Sequence, residues 1–403
     1  MMPESQALNR VLSLPTLTLY GLGTIIGAGI YVLVGKVAAT AGLFTPLAFI
    51  LAGVVAAFTA LSYAELSSRL PRAAGAALYA HEAWQRHWLS ALVGWSIVLT
   101  GVVSAATLLN GFVGYLQVFV DSPPWLVITI ATVALYAVAA WGVRESAVVI
   151  VLITMAEIAG LLYVLWIGAS SATAPAAAWK SILAVPDASL IPGLIAGGFL
   201  AFYAFIGFED MVNMAEEAKE PRKTMPHAII LALILATILY LAVAYVAVWR
   251  MPLGQLSASS APLADLVAGA GTSPVTITII SLIAVINGVL VQLMMASRIM
   301  YGMANQKTAP AFLAKVHPVR KTPVLATTLT AAVILGFSLW LPVVTLAQIT
   351  STVVLVVFTV SNVALLILKR RQPENEGGVS YPIFVPVVGA LLCVGLIAAQ
   401  AIL

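Results

Sequence analysis

Three groups of residues in this 403-residue chain have the type and spacing to do chemistry. The first is a run of small residues inside apolar sequence, Tyr20-Gly-Leu-Gly-Thr-Ile-Ile-Gly-Ala-Gly-Ile30. Each glycine costs up to about 1 kcal/mol in a helix interior relative to alanine, so a helix is expected to unwind there. Freed N–H groups at the start of the next half-helix then point one way, with the positive end of its dipole behind them. That geometry holds a carboxylate without a basic side chain. On this reading Gly27, Ala28 and Gly29 supply amides, and carbonyls around Gly23 and Ile26 accept from an ammonium. A second run, Gly197-Gly-Phe-Leu-Ala-Phe-Tyr-Ala-Phe-Ile-Gly-Phe-Glu-Asp210, repeats the pattern and offers carbonyls at Tyr203, Ala204 and Ile206. The competing reading is close helix packing, because Gly23-x-x-x-Gly27 also fits the small-residue contact pattern.

The second group is one residue. Glu157 lies in the middle of the otherwise apolar stretch Ala147–Ile167. An ionisable group at membrane depth costs about 2.5–3.5 kcal/mol on insertion scales. A carboxyl kept there can bind and release a proton, as proton coupling requires; the other reading is a carboxyl hydrogen-bonded to a neighbouring helix. The third group, Glu209 and Asp210, closes the second run. Either faces a ligand, or the pair caps the following half-helix, whose N-terminus favours negative charge. Asn110, Asn287, Gln292 and Gln348 are lone amides in apolar surroundings and are expected to make interhelical hydrogen bonds. Glu65 and Arg69 are expected to form a gate or loop ion pair.

Enzyme signatures are missing. His81-Glu82 begins like a zinc motif, but the helical partner position is Gln85. With four histidines, one cysteine (Cys393) and no Gly-x-Ser-x-Gly elbow, neither a metal site nor a nucleophile triad assembles. No cofactor and no metal are expected.

The elements that must position these residues follow from composition. The chain is 62% hydrophobic and 8% charged, with a mean hydropathy of +1.07. Soluble domains carry about 25% charged residues, so this chain is an all-α polytopic membrane protein in expectation. A spanning helix needs roughly 17–25 apolar residues. Eleven such runs are read at 14–39, 44–68, 91–119, 125–142, 146–169, 190–214, 226–249, 274–304, 323–341, 343–368 and 382–402. The opening 1–13 lacks the order of a signal peptide, so the first run is expected to remain as a span. With the N-terminus inside, sixteen of the nineteen Lys and Arg fall on the cytoplasmic side, leaving Lys36, Lys180 and Arg250 outside. That bias is the positive-inside pattern of a plasma (inner) membrane protein, and it excludes a nucleic-acid face.

The glycine-interrupted runs open spans one and six. Interrupted segments at matching positions of two halves point to a carrier's binding site. Two five-helix halves follow, 14–170 and 190–369, inverted because five is odd, with an additional helix in 380–403. Segment 69–90, with Tyr79, Trp84 and Trp88, is expected to lie in the interface plane. Pro262–Ala270 is expected to form a short external helix.

These residues resemble a known family. Gly-Leu-Gly-Thr-Ile-Ile-Gly-Ala-Gly-Ile-Tyr-Val-Leu (21–33) resembles the first-helix motif of the amino acid–polyamine–organocation permeases. Ser62-Tyr-Ala-Glu-Leu-Ser-Ser-Arg-Leu-Pro71 is similar to their second-helix exit. Phe202-Tyr-Ala-Phe-Ile-Gly-Phe-Glu209 and Ala215-Glu-Glu-Ala-Lys-Glu-Pro-Arg-Lys-Thr-Met-Pro226 resemble the sixth helix and its loop. The resemblance implies the leucine-transporter-type fold, secondary active transport, and an α-amino acid held between helices one and six. The pattern Gly142-Val-Arg-Glu-Ser146 aligns the fifth helices, and some proton-coupled relatives carry a lysine where this chain has Glu157. Family members usually carry more spans than the eleven counted here.

The leading expectation is therefore a proton-coupled amino acid symporter working by alternating access, with a proton rather than sodium as the coupling ion. The alternative is an amino acid or polyamine exchanger, in which Glu157, Glu209 or Asp210 neutralises an extra amine. A membrane-embedded amino acid sensor would need an output domain that the sequence does not show. The pocket walls should include Tyr203 and residues of spans three and eight.

Overall fold

The computed structural model describes residues 10–27, 29–72, 75–142, 147–170, 187–318, 320, 322–375 and 377–403. Each of the eleven apolar runs is helical in it. Span one is Leu14–Ile26 followed by Gly29–Ala41, span two Thr45–Arg69, span three His87–Leu116, span four Pro124–Trp141 and span five Ala147–Ser170. Span six opens as Ile191–Phe202; span seven is Pro221–Arg250, span eight Val275–Asn305, span nine Val324–Trp340, span ten Val343–Arg371 and span eleven Phe384–Ile402. Among the described residues nine helical stretches, with Gly29–Arg69 and Ala188–Met214 each counted as one, are long and apolar enough to cross a bilayer, and Leu14–Ile26 and Val324–Trp340 are shorter apolar helices. This is an all-α polytopic membrane protein.

Local chemistry sets the boundaries. Proline occupies the first turn of the opening helices of spans one, two, four, six and seven. Its missing N–H costs nothing there, because that group has no partner within the helix. Pro342 immediately precedes span ten and separates it from span nine. The expected external helix is present as Pro262–Gly269, with a second short helix at Leu253–Ala258.

Lipid tails are as apolar as leucine, so spans associate by close packing and polar contacts. Span one packs on span seven as span six packs on span two; spans two and seven, three and eight, and four and nine also pair. Span eleven lies against spans two and ten. Around span six an aromatic cluster forms, with the Tyr63 ring 5.7 Å from Phe208 and 5.5 Å from Phe358. Such tilted pairs contribute about 0.5–1.5 kcal/mol each beyond their buried area. Exposed tryptophans mark the lipid boundary: Trp88, Trp125, Trp141, Trp166 and Trp340 lie at or near span ends, where amphipathic rings favour the headgroup level.

Segment 69–90 departs from expectation. Its helix, Gly75–Trp84, turns Tyr79 into the protein, fully buried and 5.8 Å from the Tyr63 ring. Aromatic stacking outweighs the headgroup level for that residue, while Trp88 stays exposed.

Glu65 and Arg69 form the expected ion pair, within a larger cluster. The buried Glu65 carboxylate accepts from Arg69 at 2.7 and 2.9 Å, from Lys369 of span ten at 2.7 Å, and from the Tyr381 backbone N–H at 2.9 Å. Arg69 also donates to the Gln372 carbonyl at 2.7 Å. The cluster fastens the lead-in to span eleven onto span two. Nearby, Leu12 pairs its backbone with the loop after span six, donating to Glu217 O at 3.0 Å and accepting from Lys219 N–H at 2.9 Å.

Candidate functional site

Both interrupted runs are broken in the structure. Span one is helical to Ile26, leaves helical geometry at Gly27 and restarts at Gly29. Span six runs as α-helix to Phe202, tightens to a 3-10 turn over Tyr203–Phe205, extends at Ile206 (ψ 138°) and turns at Gly207 with φ of 130°. It then continues as a 3-10 helix, Phe208–Met214.

The two breaks cross and touch. A Cβ on Gly29 would lie 2.6 Å from Ala204 Cα, and one on Gly207 would collide with the Thr24 carbonyl oxygen. Gly207 is thus required twice, for its left-handed backbone and for its closeness to span one. Thr24 Oγ1 lies 2.8 Å from Gly21 O and 3.1 Å from Gly207 O, so one hydroxyl proton lies near carbonyls of both spans. The Tyr240 phenol of span seven does the same, 2.6 Å from Ile25 O and 2.9 Å from Ala204 O.

A cavity opens beside the crossing. Gly23, Gly27, Gly29, Tyr203, Ile206 and Asp210 line it, together with Ser104 of span three and Asn287, Gly288 and Gln292 of span eight. Six of the sequence-derived site residues are thereby brought together. Ala28 lies outside the described residues. Ile26 and Ala204 are buried against other helices, so any contribution they make comes from the backbone.

Several backbone atoms expected to be free are already engaged. Gly27 N–H donates to Gly23 O at 2.9 Å, and Ile206 N–H donates to Tyr203 O at 3.2 Å. Ala204 O is met by Tyr240. Among the described residues, Ile26 and Ile206 are the expected carbonyls without such a cross-element bond. The Tyr203 side chain is fixed, its hydroxyl 2.9 Å from Ser104 Oγ and 3.2 Å from Ser104 O.

The glycine run packs closely at two residues and is open at a third. Gly23 is pressed against Thr154 of span five and Gly29 against Ala204. Around Gly27 a Cβ would meet only carbonyls of its own helix. Its own carbonyl faces Gly288 of span eight.

Glu157 lies away from this cavity. It is buried in span five, one turn beyond Thr154, and both carboxyl oxygens lack a hydrogen-bond partner among the described residues. Its backbone carbonyl accepts from the Tyr31 hydroxyl at 2.7 Å, and Tyr115 in turn donates to Tyr31 O at 2.8 Å. A carboxyl hydrogen-bonded to a neighbouring helix is therefore not what the structure shows.

Glu209 and Asp210 part company. Glu209 Oε2 accepts from the Gly207 N–H at 2.8 Å, satisfying a donor that the break frees. Asp210 lines the smaller cavity, and both residues line a larger one of about 1060 Å³. The two cavities share Ile206, Asp210 and Gln292. The larger runs past Tyr63, Gly94 and Met303 to Gln306 and Thr308, in the loop at the basic end of span eight. At the other end, Lys36 donates to the Ser257 and Ser259 carbonyls at 3.2 and 3.3 Å, holding the segment between the two short helices against the second half of span one.

Sequence reasoning placed spans three and eight in the wall without naming Ser104, Asn287 and Gln292, and it missed Gly207 and Tyr240 as the parts that hold the breaks together. The amides were visible as polar intruders in span eight but were assigned only interhelical bonds. Gln292 Oε1 is buried with no partner among the described residues and Gln292 lines both cavities, so this acceptor is available to a molecule bound there. Asn110 keeps its expected role, donating to Ser338 O of span nine at 3.2 Å.

Comparison with known proteins agrees with this geometry. The model of a family described as amino acid permease matches residues 16–402. The methylthioribose transporter of Bacillus subtilis (strain 168) is 31% identical, over 96% of this chain and 86% of that protein. The branched-chain amino acid permease BcaP of the same strain is 29% identical over the same shares. A vacuolar cationic amino acid transporter 4 of Arabidopsis thaliana is 28% identical over 91% of this chain, which spans 64% of it. Matched from its first span to its last and broken at the two spans that cross beside a polar cavity, the chain belongs to the amino acid permease family and is a transporter, not an enzyme.

Proposed function

We propose that this protein is a proton-coupled amino acid symporter of the plasma (inner) membrane, with its N-terminus in the cytoplasm. The observation that carries the proposal is the crossing of two broken spans beside a cavity with an unsatisfied amide. The substrate carboxylate docks at the start of the half-helix Gly29–Ala41, where the backbone N–H groups lack helical partners and the dipole favours an anion. Ala28 and Gly29 are the donors of choice, since Gly27 N–H is spent on Gly23. The substrate ammonium meets the Ile26 and Ile206 carbonyls, and Gln292, Asn287 and Ser104 surround the side chain.

The helix pairing supports two five-span halves, 14–170 and 190–369, with span eleven added in 380–403. Exchanging the halves turns the contact of span one with span seven into that of span six with span two. Rocking of one set of helices against the other around the breaks gives alternating access. With the N-terminus in the cytoplasm, the path from Asp210 to Gln306 opens to the inside, which supports an inward-facing state.

Glu157 is the proton carrier in this scheme. It touches span one from behind and has no fixed partner, so its protonation state can follow the position of the broken helix. The test is uptake into proteoliposomes, with counterflow measured in parallel. Glu157→Gln should abolish uptake driven by a pH gradient and leave counterflow intact. Mutant uptake that still tracks the gradient would sink the coupling role.

One observation favours a second reading, exchange of substrates with an additional amine. The Asp210 carboxylate lines both cavities and has no cation paired with it among the described residues. Counterflow of cationic against neutral amino acids, without a pH gradient, separates exchange from symport.

A further inference from the structure

We propose that a cleft between the basic ends of spans four, eight and nine binds the phosphodiester headgroup of an anionic phospholipid. The cleft, about 990 Å³, is separate from the transport path. Arg298 and Tyr301 line it from span eight, Arg320 and Thr322 from the segment before span nine, and Gly142 from the end of span four.

Among the described residues its charge has one sign. Two guanidiniums line it, no carboxylate among the described residues does, and neither arginine is in an ion pair among them. Three nearby hydroxyls are spent on backbone: Ser297 donates to Met294 O, Thr322 to Ala140 O and Thr327 to Pro323 O, at 2.9–3.1 Å. The two guanidinium forks and the Tyr301 hydroxyl are left as donors, and the forks match the geometry of a phosphate.

Its depth matches a headgroup. Trp141, the last residue of span four, is 69% exposed, and the Arg320 guanidinium lies 4.7 Å over its ring. Exposed tryptophan at a span end marks the membrane–water boundary. Basic clefts between spanning helices on that side suit anionic lipid heads. The chain is built to hold Arg320 there. Gly142 has φ of 94°, and a Cβ on it would lie 3.1 Å from Arg320 O and 3.0 Å from the Thr322 methyl, so only glycine lets this segment lie against the end of span four.

The test is thermal unfolding of the full chain in micelles doped with phosphatidylglycerol or with phosphatidylcholine. Phosphatidylglycerol should raise the wild-type midpoint above that in phosphatidylcholine. The double variant R298Q/R320Q should lose that increment while keeping its midpoint in phosphatidylcholine. Should the double variant fail to fold, Arg298→Gln alone, which leaves the Arg320–Trp141 contact intact, should cut the increment by half or more. Inorganic phosphate or glycerol phosphate at matched concentration should give no rise. Equal increments in wild type and variant, or no difference between the lipids, would overturn the proposal. So would a full rise with soluble phosphate, which would assign the cleft to a free anion.

Discussion

The Thr24 hydroxyl of span one lies 3.1 Å from the carbonyl oxygen of Gly207 in span six, a bond across 183 residues of sequence that ties one helix break to the other. The breaks are tied to each other and to span seven, while the Ile26 and Ile206 carbonyls stay open. The rigidity this gives is what a backbone-built binding site needs, because main-chain atoms can recognise a ligand only if they stay in place.

Gly207→Ala tests that crossing. The substitution puts a methyl group against Thr24 O and forces a non-glycine residue to φ of 130°. A left-handed strain of this kind costs roughly 1–3 kcal/mol, and the steric contact adds to it. The expected outcome is a lower melting midpoint together with lost uptake. Full uptake by the variant would show that the two breaks need not touch.

Tyr240→Phe removes the phenol proton lying between Ile25 O and Ala204 O and changes little else in shape. Leaving a buried acceptor unsatisfied costs about 1–3 kcal/mol. The midpoint should fall by several degrees, and substrate should restore part of the loss, because ligand bound only to the native state stabilises it.

Gln292→Leu should behave in the opposite way. Its buried Oε1 has no partner among the described residues, so removal should leave the unliganded midpoint unchanged or slightly higher. Substrate affinity, read by isothermal titration, should drop about tenfold, the equivalent of one hydrogen bond of roughly 1.4 kcal/mol. Unchanged affinity for every transported compound would take Gln292 out of the site.

Asp210→Asn and Glu209→Gln divide the two carboxylates by role. Asp210→Asn should weaken binding of cationic substrates more than that of neutral ones, in competition assays at constant pH. Glu209→Gln should be mild, since an amide oxygen can still accept from Gly207 N–H, whereas Glu209→Leu should reduce both stability and uptake. Equal effects of Asp210→Asn on all substrates would assign it to the path rather than to recognition.

Glu65→Ala leaves Arg69 and Lys369 facing each other in a nearly buried place, where their side chains are 7% and 10% exposed. Breaking a buried ion cluster by removing one member costs about 3–5 kcal/mol. Poor folding yield is expected, with recovery when Lys369→Met is added to relieve the repulsion.

Much of this architecture was legible in the sequence. Lipid demands long apolar runs, so the eleven spans could be counted, and the split at Pro342 followed from its ring. The breaks at Gly27 and beyond Tyr203 were legible because glycine in a helix interior has a known cost. Asn287 and Gln292 were visible as polar residues but not as cavity walls, since rotation of span eight about its axis is set by its packing against span three. Tyr79 was misjudged for the same reason: its partner Tyr63 is close in space through a loop whose path no periodicity reveals. The free carbonyls were over-counted because the tyrosine of span seven that meets one of them is distant in sequence.

The backbone pairing of Leu12 with the segment around Ala218 links the chain just ahead of span one to the chain just past span six. Main-chain bonds are indifferent to side chains, so the stitch tolerates drift in composition at both places. It joins the first arm of span one to the second arm of span six like the two edges of one door leaf. A movement of one arm relative to the rest of the protein therefore carries the other with it unless these two hydrogen bonds break.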